Sequence, residues 1–168
     1  MQHKTKTIIT ILSGIVLTIT LILLNKGMKA LKWAKVISPL KIRKDDGGDG
    51  HYNTERSNNL GIHQGVDLSV KKGQPIYAPF KGTITRKAIP YANDTKWSGC
   101  VLTDNKGNEV KFFYLLPSKV GKQVKRGEQI GIAQAISEKY GSPVTDHVHL
   151  EFRKNGVLID PTKLLGLG

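Results

Sequence analysis

Hydrophobic positions divide the chain into two regimes. From Ile8 to Leu24 runs an unbroken uncharged stretch, Ile-Ile-Thr-Ile-Leu-Ser-Gly-Ile-Val-Leu-Thr-Ile-Thr-Leu-Ile-Leu-Leu. It just reaches the roughly 17 to 25 residues that a spanning helix needs. Lys4, Lys6 and Lys26 bracket it, as basic side chains that snorkel to an interface do. A cleavable leader would have a shorter apolar core and a small-x-small site, whereas this run continues into Asn25-Lys26-Gly27-Met28-Lys29. The pattern therefore predicts an uncleaved transmembrane helix, a membrane anchor over residues 1–25, with a cleaved signal as the alternative. Residues 26–45 follow as a basic juxtamembrane linker, and a turn-rich stretch beginning Asp45-Asp46-Gly47-Gly48-Asp49-Gly50 leads onward. Beyond it, short β-branched and aromatic runs alternate with turn residues: 74–78, 82–86, 100–103, 109–116, 129–132 and 147–153. Such runs read as strands, and Asn105-Lys106-Gly107 would join two of them as a hairpin. The expectation is an all-β protein: one antiparallel-sheet domain over 46–168, with long loops walling a groove.

Charge refines this picture. The formal net charge is +13, but residues 1–44 hold nine Lys/Arg and no Asp/Glu, which leaves 17 basic and 13 acidic residues for the rest. The folded part is thus only mildly basic. It has no basic run interleaved with stacking aromatics, so no nucleic-acid partner is expected.

Cys100 is the single cysteine, which excludes an intrachain disulfide and a thiolate zinc cluster. It sits in a strand-like Gly-Cys-Val-Leu-Thr and reads as a buried structural thiol. Any metal must therefore be held by imidazoles and carboxylates. Two short clusters offer them, His63-Gln64-Gly65-Val66-Asp67 and His147-Val148-His149, the second running on through Leu150 to Glu151. Side chains two apart on a strand share a face, so His147, His149 and Glu151 point the same way. Thiolate-free Zn2+ sites take two or three imidazoles with a carboxylate and keep one position for water; His63, Asp67 and His149 can supply that set. His147 would stand beside the ion unligated, free to take a proton or stabilise an oxyanion. Alone, His-x-His reads as an exposed strand face and His-x-x-x-Asp as an incidental pair, and the two together form the argument.

At these residues the sequence resembles the lysostaphin or LytM-type zinc metallopeptidases, whose pattern is His-x-x-x-Asp followed by His-x-His. Two further stretches carry the resemblance, Ile76-Tyr77-Ala78-Pro79-Phe80-Lys81-Gly82-Thr83-Ile84 and Val124-Lys125-Arg126-Gly127-Glu128-Gln129-Ile130-Gly131. The Gly-x-x-Val-x-x-Gly-x-x-Ile-Gly spacing also occurs in biotinyl and lipoyl carriers, but no lysine here has a carrier's flanking signature. The resemblance implies the duplicated hybrid motif fold, a Zn2+ cofactor on His63, Asp67 and His149, His147 as catalytic partner, and Glu151 orienting an imidazole. It implies hydrolysis of peptidoglycan stem or bridge peptides.

The family usually carries one more histidine, in Tyr-x-His-Leu, where this chain has Phe112-Phe113-Tyr114-Leu115. Tyr114 as its substitute is similar to the leukocyte cell-derived chemotaxin branch, as are Tyr52, Arg56-Ser57 and Pro90-Tyr91. That branch implies the alternative, a non-catalytic zinc-binding module that binds wall peptides or a protein partner. A wall substrate requires the domain to face the cell wall or periplasm. The charge rule alone would hold it inside, because Lys26, Lys29, Lys32, Lys35, Lys41, Arg43 and Lys44 outnumber Lys4 and Lys6.

Overall fold

The computed structural model describes residues 33–56 and 61–167, so the uncharged run 8–24 lies outside the described residues. Among those described, no helix is long and apolar enough to cross a membrane. In chain order the strands are β1 (Lys44–Asp45), β2 (Gly48–Asp49), β3 (Val66–Ser69), β4 (Pro75–Tyr77), β5 (Gly82–Ala88), β6 (Gly99–Thr103), β7 (Asn108–Phe113), β8 (Leu115–Pro117), β9 (Gln123–Val124), β10 (Gln129–Ala133), β11 (His147–Lys154) and β12 (Val157–Ile159). Among the described residues, two single helical turns, α1 (Ser137–Tyr140) and α2 (Thr162–Leu165), complete the elements.

The described strands form three sheets. β1 pairs with β2, β4-β10-β8 make a small sheet, and β12-β11-β7-β6-β5-β9 make the main one, with β3 added on β11. Every pairing is antiparallel. Alternation writes the central strands: in β7, Asn108, Val110 and Phe112 are buried while Glu109, Lys111 and Phe113 are half-exposed, the period of two that a pleated strand imposes. β11 is buried on both faces from His147 to Phe152. Val148, Leu150 and Phe152 fill the hydrophobic face, which leaves His147, His149 and Glu151 together on the other.

All six predicted runs contain strands, with two differences of substance. The run 109–116 is broken at Tyr114, whose φ of 66° is left-handed, a conformation uncommon for a residue with a side chain. Its carbonyl accepts the Gln134 N–H at 2.9 Å, and the chain passes from β7 in the main sheet to β8 in the small one. The second difference lies upstream. Residues 33–45, expected as linker, pack into the domain: Trp33, Val36 and Ile37 are buried, and the Trp33 ring meets Phe152 edge-on at 5.1 Å. Ala34 N–H donates to the Pro79 carbonyl at 2.8 Å and Tyr77 N–H to that of Val36 at 2.9 Å. Three apolar side chains among lysines are enough, because burying each contributes about 1.5–3 kcal/mol.

Register gives the main sheet two distinct ends. β11 runs from His147 to Lys154 against β7, so His149 faces Phe113 and Lys154 faces Asn108. β6 runs from Gly99, opposite Phe113, to Thr103, opposite Glu109. One end therefore gathers the histidines and the loops above them. The other gathers the turns 104–107, 125–128 and 154–156, and it is where the chain enters at Ala34. Cys100 is buried in β6, and burial pushes its thiol up to about 12.

Candidate metal centre

Backbone pairing brings the two histidine clusters together. β3 pairs with β11 so that Asp67 lies directly opposite His149. His63 is set just before β3 by two backbone bonds, its N–H donating to the Thr54 carbonyl at 2.8 Å and its carbonyl accepting the Asn53 N–H at 2.9 Å. Between His63 and Asp67 the chain presses against β11 at Gly65, where a Cβ would overlap the Leu150 carbonyl oxygen and come within 2.9 Å of His149 Cε1. Only glycine permits that approach.

The resulting triangle is small. His63 Nε2 is 3.0 Å from His149 Nδ1 and 3.1 Å from Asp67 Oδ1, and His149 Nδ1 is 2.9 Å from Asp67 Oδ1. Donors sharing one tetrahedral zinc, with bonds of about 2.0–2.1 Å, stand roughly 3.3 Å apart. All three residues are buried, and together they could hold a metal ion.

Each ring's outer nitrogen fixes what its inner nitrogen offers. His63 Nδ1 lies 2.7 Å from the His51 carbonyl oxygen, so Nδ1–H donates there and Nε2 presents a lone pair. His149 Nε2 lies 3.4 Å from Glu151 Oε1, an orientation that puts its proton outward and leaves Nδ1 bare. His147 Nδ1–H donates to the Thr145 carbonyl at 2.7 Å, and its Nε2 stands 3.8 Å from Asp67 Oδ2. Three lone pairs aimed at one point repel unless a cation lies between them. A proton relieves one contact, and a divalent metal relieves all of them.

Asp67 divides its two oxygens. Oδ1 joins the triangle, while Oδ2 is held by Arg43 Nη1 at 3.4 Å and Arg56 Nη2 at 3.3 Å. Burial opposes its ionisation, but the His149 and His63 rings against it, which donate to it when protonated, and the charges of His147 and His149 outweigh that and hold the carboxyl well below the usual range. Burial also opposes ionisation of Glu151, yet His149 and Lys111 bring its pKa down to about 2, with Lys111 Nζ at 2.8 Å from Oε2. Burial favours neutral His149, but bonds to Asp67 and Glu151 reverse this and raise its pKa. For His147, burial prevails over the attraction of Asp67 and lowers it.

Above the triangle lies a groove of about 920 Å³ with an aromatic wall of Tyr91, Phe113, Tyr114 and Tyr140. Phe113 stacks on His149 at 5.7 Å, and Tyr114 meets His147 edge-on at 5.3 Å. Tyr91 Oη sits between Tyr114 Oη at 2.9 Å and Tyr140 Oη at 2.7 Å. Burial pushes the Tyr114 phenol up to about 12, so near neutral pH it donates and does not act as a base.

The structure thus brings His63, Asp67, His147, His149, Glu151 and Tyr114 to one place. Spacing did not reveal Arg43 and Arg56, because Arg43 looks like one more cation in a basic stretch and neither shows which carboxylate it meets. Lys111 carried a signal: it alternates with Phe113 on a strand, and register puts it opposite Glu151. Tyr140 carried none.

The family model for peptidase family M23 matches residues 61–161. Leukocyte cell-derived chemotaxin-2 of Bos taurus is 36% identical over 126 residues, covering 74% of this chain and 80% of that protein. Among solved structures, the antimicrobial peptidase lysostaphin from Staphylococcus simulans superposes with a TM-score of 0.59 at 23% identity, over 80% of this chain and 54% of that one. A zinc containing peptidase from Vibrio cholerae gives 0.57 at 23%, over 78% and 38%. The chain therefore spans less than two thirds of either solved structure.

Proposed function

The chain belongs to peptidase family M23, and from that membership and the geometry of its centre we propose that it is a zinc metalloendopeptidase acting on peptidoglycan stem or bridge peptides. One observation carries the reading: two imidazole nitrogens and a carboxylate oxygen within 2.9–3.1 Å of one another, each ring turned so that its lone pair faces inward. Zinc, when held by His63, Asp67 and His149, supplies a Lewis acid and lowers the pKa of a water toward about 7.

The remaining chemistry belongs to the side chains. His147 stays neutral because burial lowers its pKa, so its Nε2 lone pair is available to accept a proton in the groove. The Thr145 carbonyl keeps that nitrogen aimed inward. Tyr114 offers a hydrogen-bond donor where the family has a histidine. Its hydroxyl belongs to a chain of three O–H groups joined by two bonds, which leaves one proton over for a substrate oxygen at one end. A donor of this kind is worth roughly a hundredfold to a thousandfold in rate. Arg43 and Arg56 hold the second oxygen of Asp67, so that only Oδ1 faces the triangle.

Incubating the protein with purified wall sacculi, with and without chelator, tests the reading. Chelator-sensitive release of new peptide ends is expected, with His147→Gln losing roughly two to four orders of magnitude while keeping zinc. Sacculi left intact in both arms would overturn it. A second reading, a zinc-stabilised binding module, draws on Tyr114 and on the relative named a chemotaxin. Under that reading Tyr114→His creates hydrolysis that the wild type lacks.

A further inference from the structure

The end of the main sheet remote from the histidines has a chemistry of its own. Lys81 and Lys125 lie one residue beyond the Gly82↔Val124 pair that joins β5 to β9. Arg126 follows in the same turn, Lys106 occupies the β6–β7 turn, and Lys35 lies between residues bonded to Pro79 and Tyr77. All five are exposed. The acidic residues there are Asp104, Glu109 and Glu128, two of them already engaged. Asp104 accepts from Lys106 N–H, Asn108 N–H and Asn108 Nδ2 at 2.7–3.0 Å. Glu128 accepts from Lys125 N–H at 2.8 Å and pairs with Lys119 at 3.4 Å. At the same end Val157 is 64% exposed. Cations beside an exposed aliphatic side chain suit a lipid interface, where the charges meet headgroups and the apolar group enters the acyl boundary. Soluble polyanions would use the first and not the second.

Chain direction points the same way. The described chain enters at Trp33 and Ala34, bonded to Pro79 at this end, directly after Lys26, Lys29, Lys32 and the uncharged run 8–24. We infer that this basic end docks on an anionic phospholipid bilayer and holds the domain upright, with the metal-site groove facing away from the membrane. The inference is independent of whether the groove cuts or only binds.

The test uses the full chain reconstituted in vesicles of phosphatidylcholine alone or mixed with phosphatidylglycerol. A donor dye on Ser142→Cys, exposed at the groove end, is read against acceptor lipids; Cys100 is buried and stays unlabelled. Weaker energy transfer, meaning a raised groove, is expected with phosphatidylglycerol at low salt, and it should revert at high salt. The combined exposed-site substitutions Lys81→Glu, Lys125→Glu and Arg126→Glu should cut the docked population by roughly tenfold or more. Circular dichroism and zinc binding of that variant should match wild type. Equal transfer in both lipids, or a charge-reversed chain that behaves like wild type in phosphatidylglycerol, would overturn the inference.

Discussion

Glu151→Gln is a small change that tests how the centre is set. Glu151 is anionic with a pKa brought down to about 2, and it lies between two donors, His149 Nε2 at 3.4 Å and Lys111 Nζ at 2.8 Å. Lys111 can only donate, so a glutamine there turns its oxygen toward the ammonium and its NH2 toward His149. That NH2 forces a lone pair onto His149 Nε2 and a proton onto Nδ1, the nitrogen that faces His63 and Asp67. Loss of an outer-shell partner of this kind costs about 10–100-fold in metal affinity, or about 1.4–2.7 kcal/mol. At about 2–4 °C per kcal/mol or somewhat more for a domain of this size, the zinc-induced rise in melting temperature should shrink by roughly 4–10 °C. Chelator-competition titration and calorimetry with and without zinc read the two quantities separately. The metal-free variant should keep most of its stability, because the residue remains isosteric. Unchanged zinc affinity would show that Glu151 does not govern the His149 tautomer, and the lone-pair reasoning would fail with it.

Other outcomes follow from the same geometry. Gly65→Ala, which drives a methyl into the Leu150 carbonyl, should destabilise the domain by about 1–3 kcal/mol in urea unfolding; a neutral result would mean that β3 can shift away from β11. Tyr114→Phe should lower peptide release roughly a hundredfold or more without altering zinc content, and equal rates would remove the phenol from catalysis. The raised pKa of His149 makes two opposite statements about pH. In chelator, its stabilisation is complete below the unfolded value near 6.5 and is lost as pH rises through the higher folded value. Zinc affinity runs the other way, falling as pH drops through that value, because the proton competes for Nδ1. Denaturation and zinc titrations between pH 5.5 and 9 check both, and parallel trends would contradict the assignment.

The strands that were legible in the sequence are those whose β-branched and aromatic residues form a run bounded by turn residues. β7 alternates because its two faces meet different environments, and β11 was readable because its polar members are histidines and a glutamate rather than loop residues. β3 hid behind its own motif: Val66, Asp67 and Leu68 are all buried, so alternation does not mark it, and its pairing with β11 is a long-range fact. The break at Tyr114 was invisible for a related reason, since a single left-handed residue leaves no compositional trace when it is not glycine. The three side chains that could hold a metal stand in two short motifs that residue type and spacing single out. The groups that tune the centre are not singled out in this way. Arg43, Arg56 and the carbonyls of His51 and Thr145 reach the centre through register and loop path, which a sequence specifies only jointly. The stretch 1–25, expected as a membrane anchor, lies outside the described residues.

Cys100 has a practical consequence for where such a domain can live. Nothing in its architecture depends on a cross-link, and its sole sulfhydryl is sequestered in β6 with a titration point near 12. Neither glutathione nor a periplasmic oxidase would find a partner on it, so the same native state is compatible with reducing and oxidising compartments alike. Purification can also omit thiol reagents, which would otherwise compete for zinc.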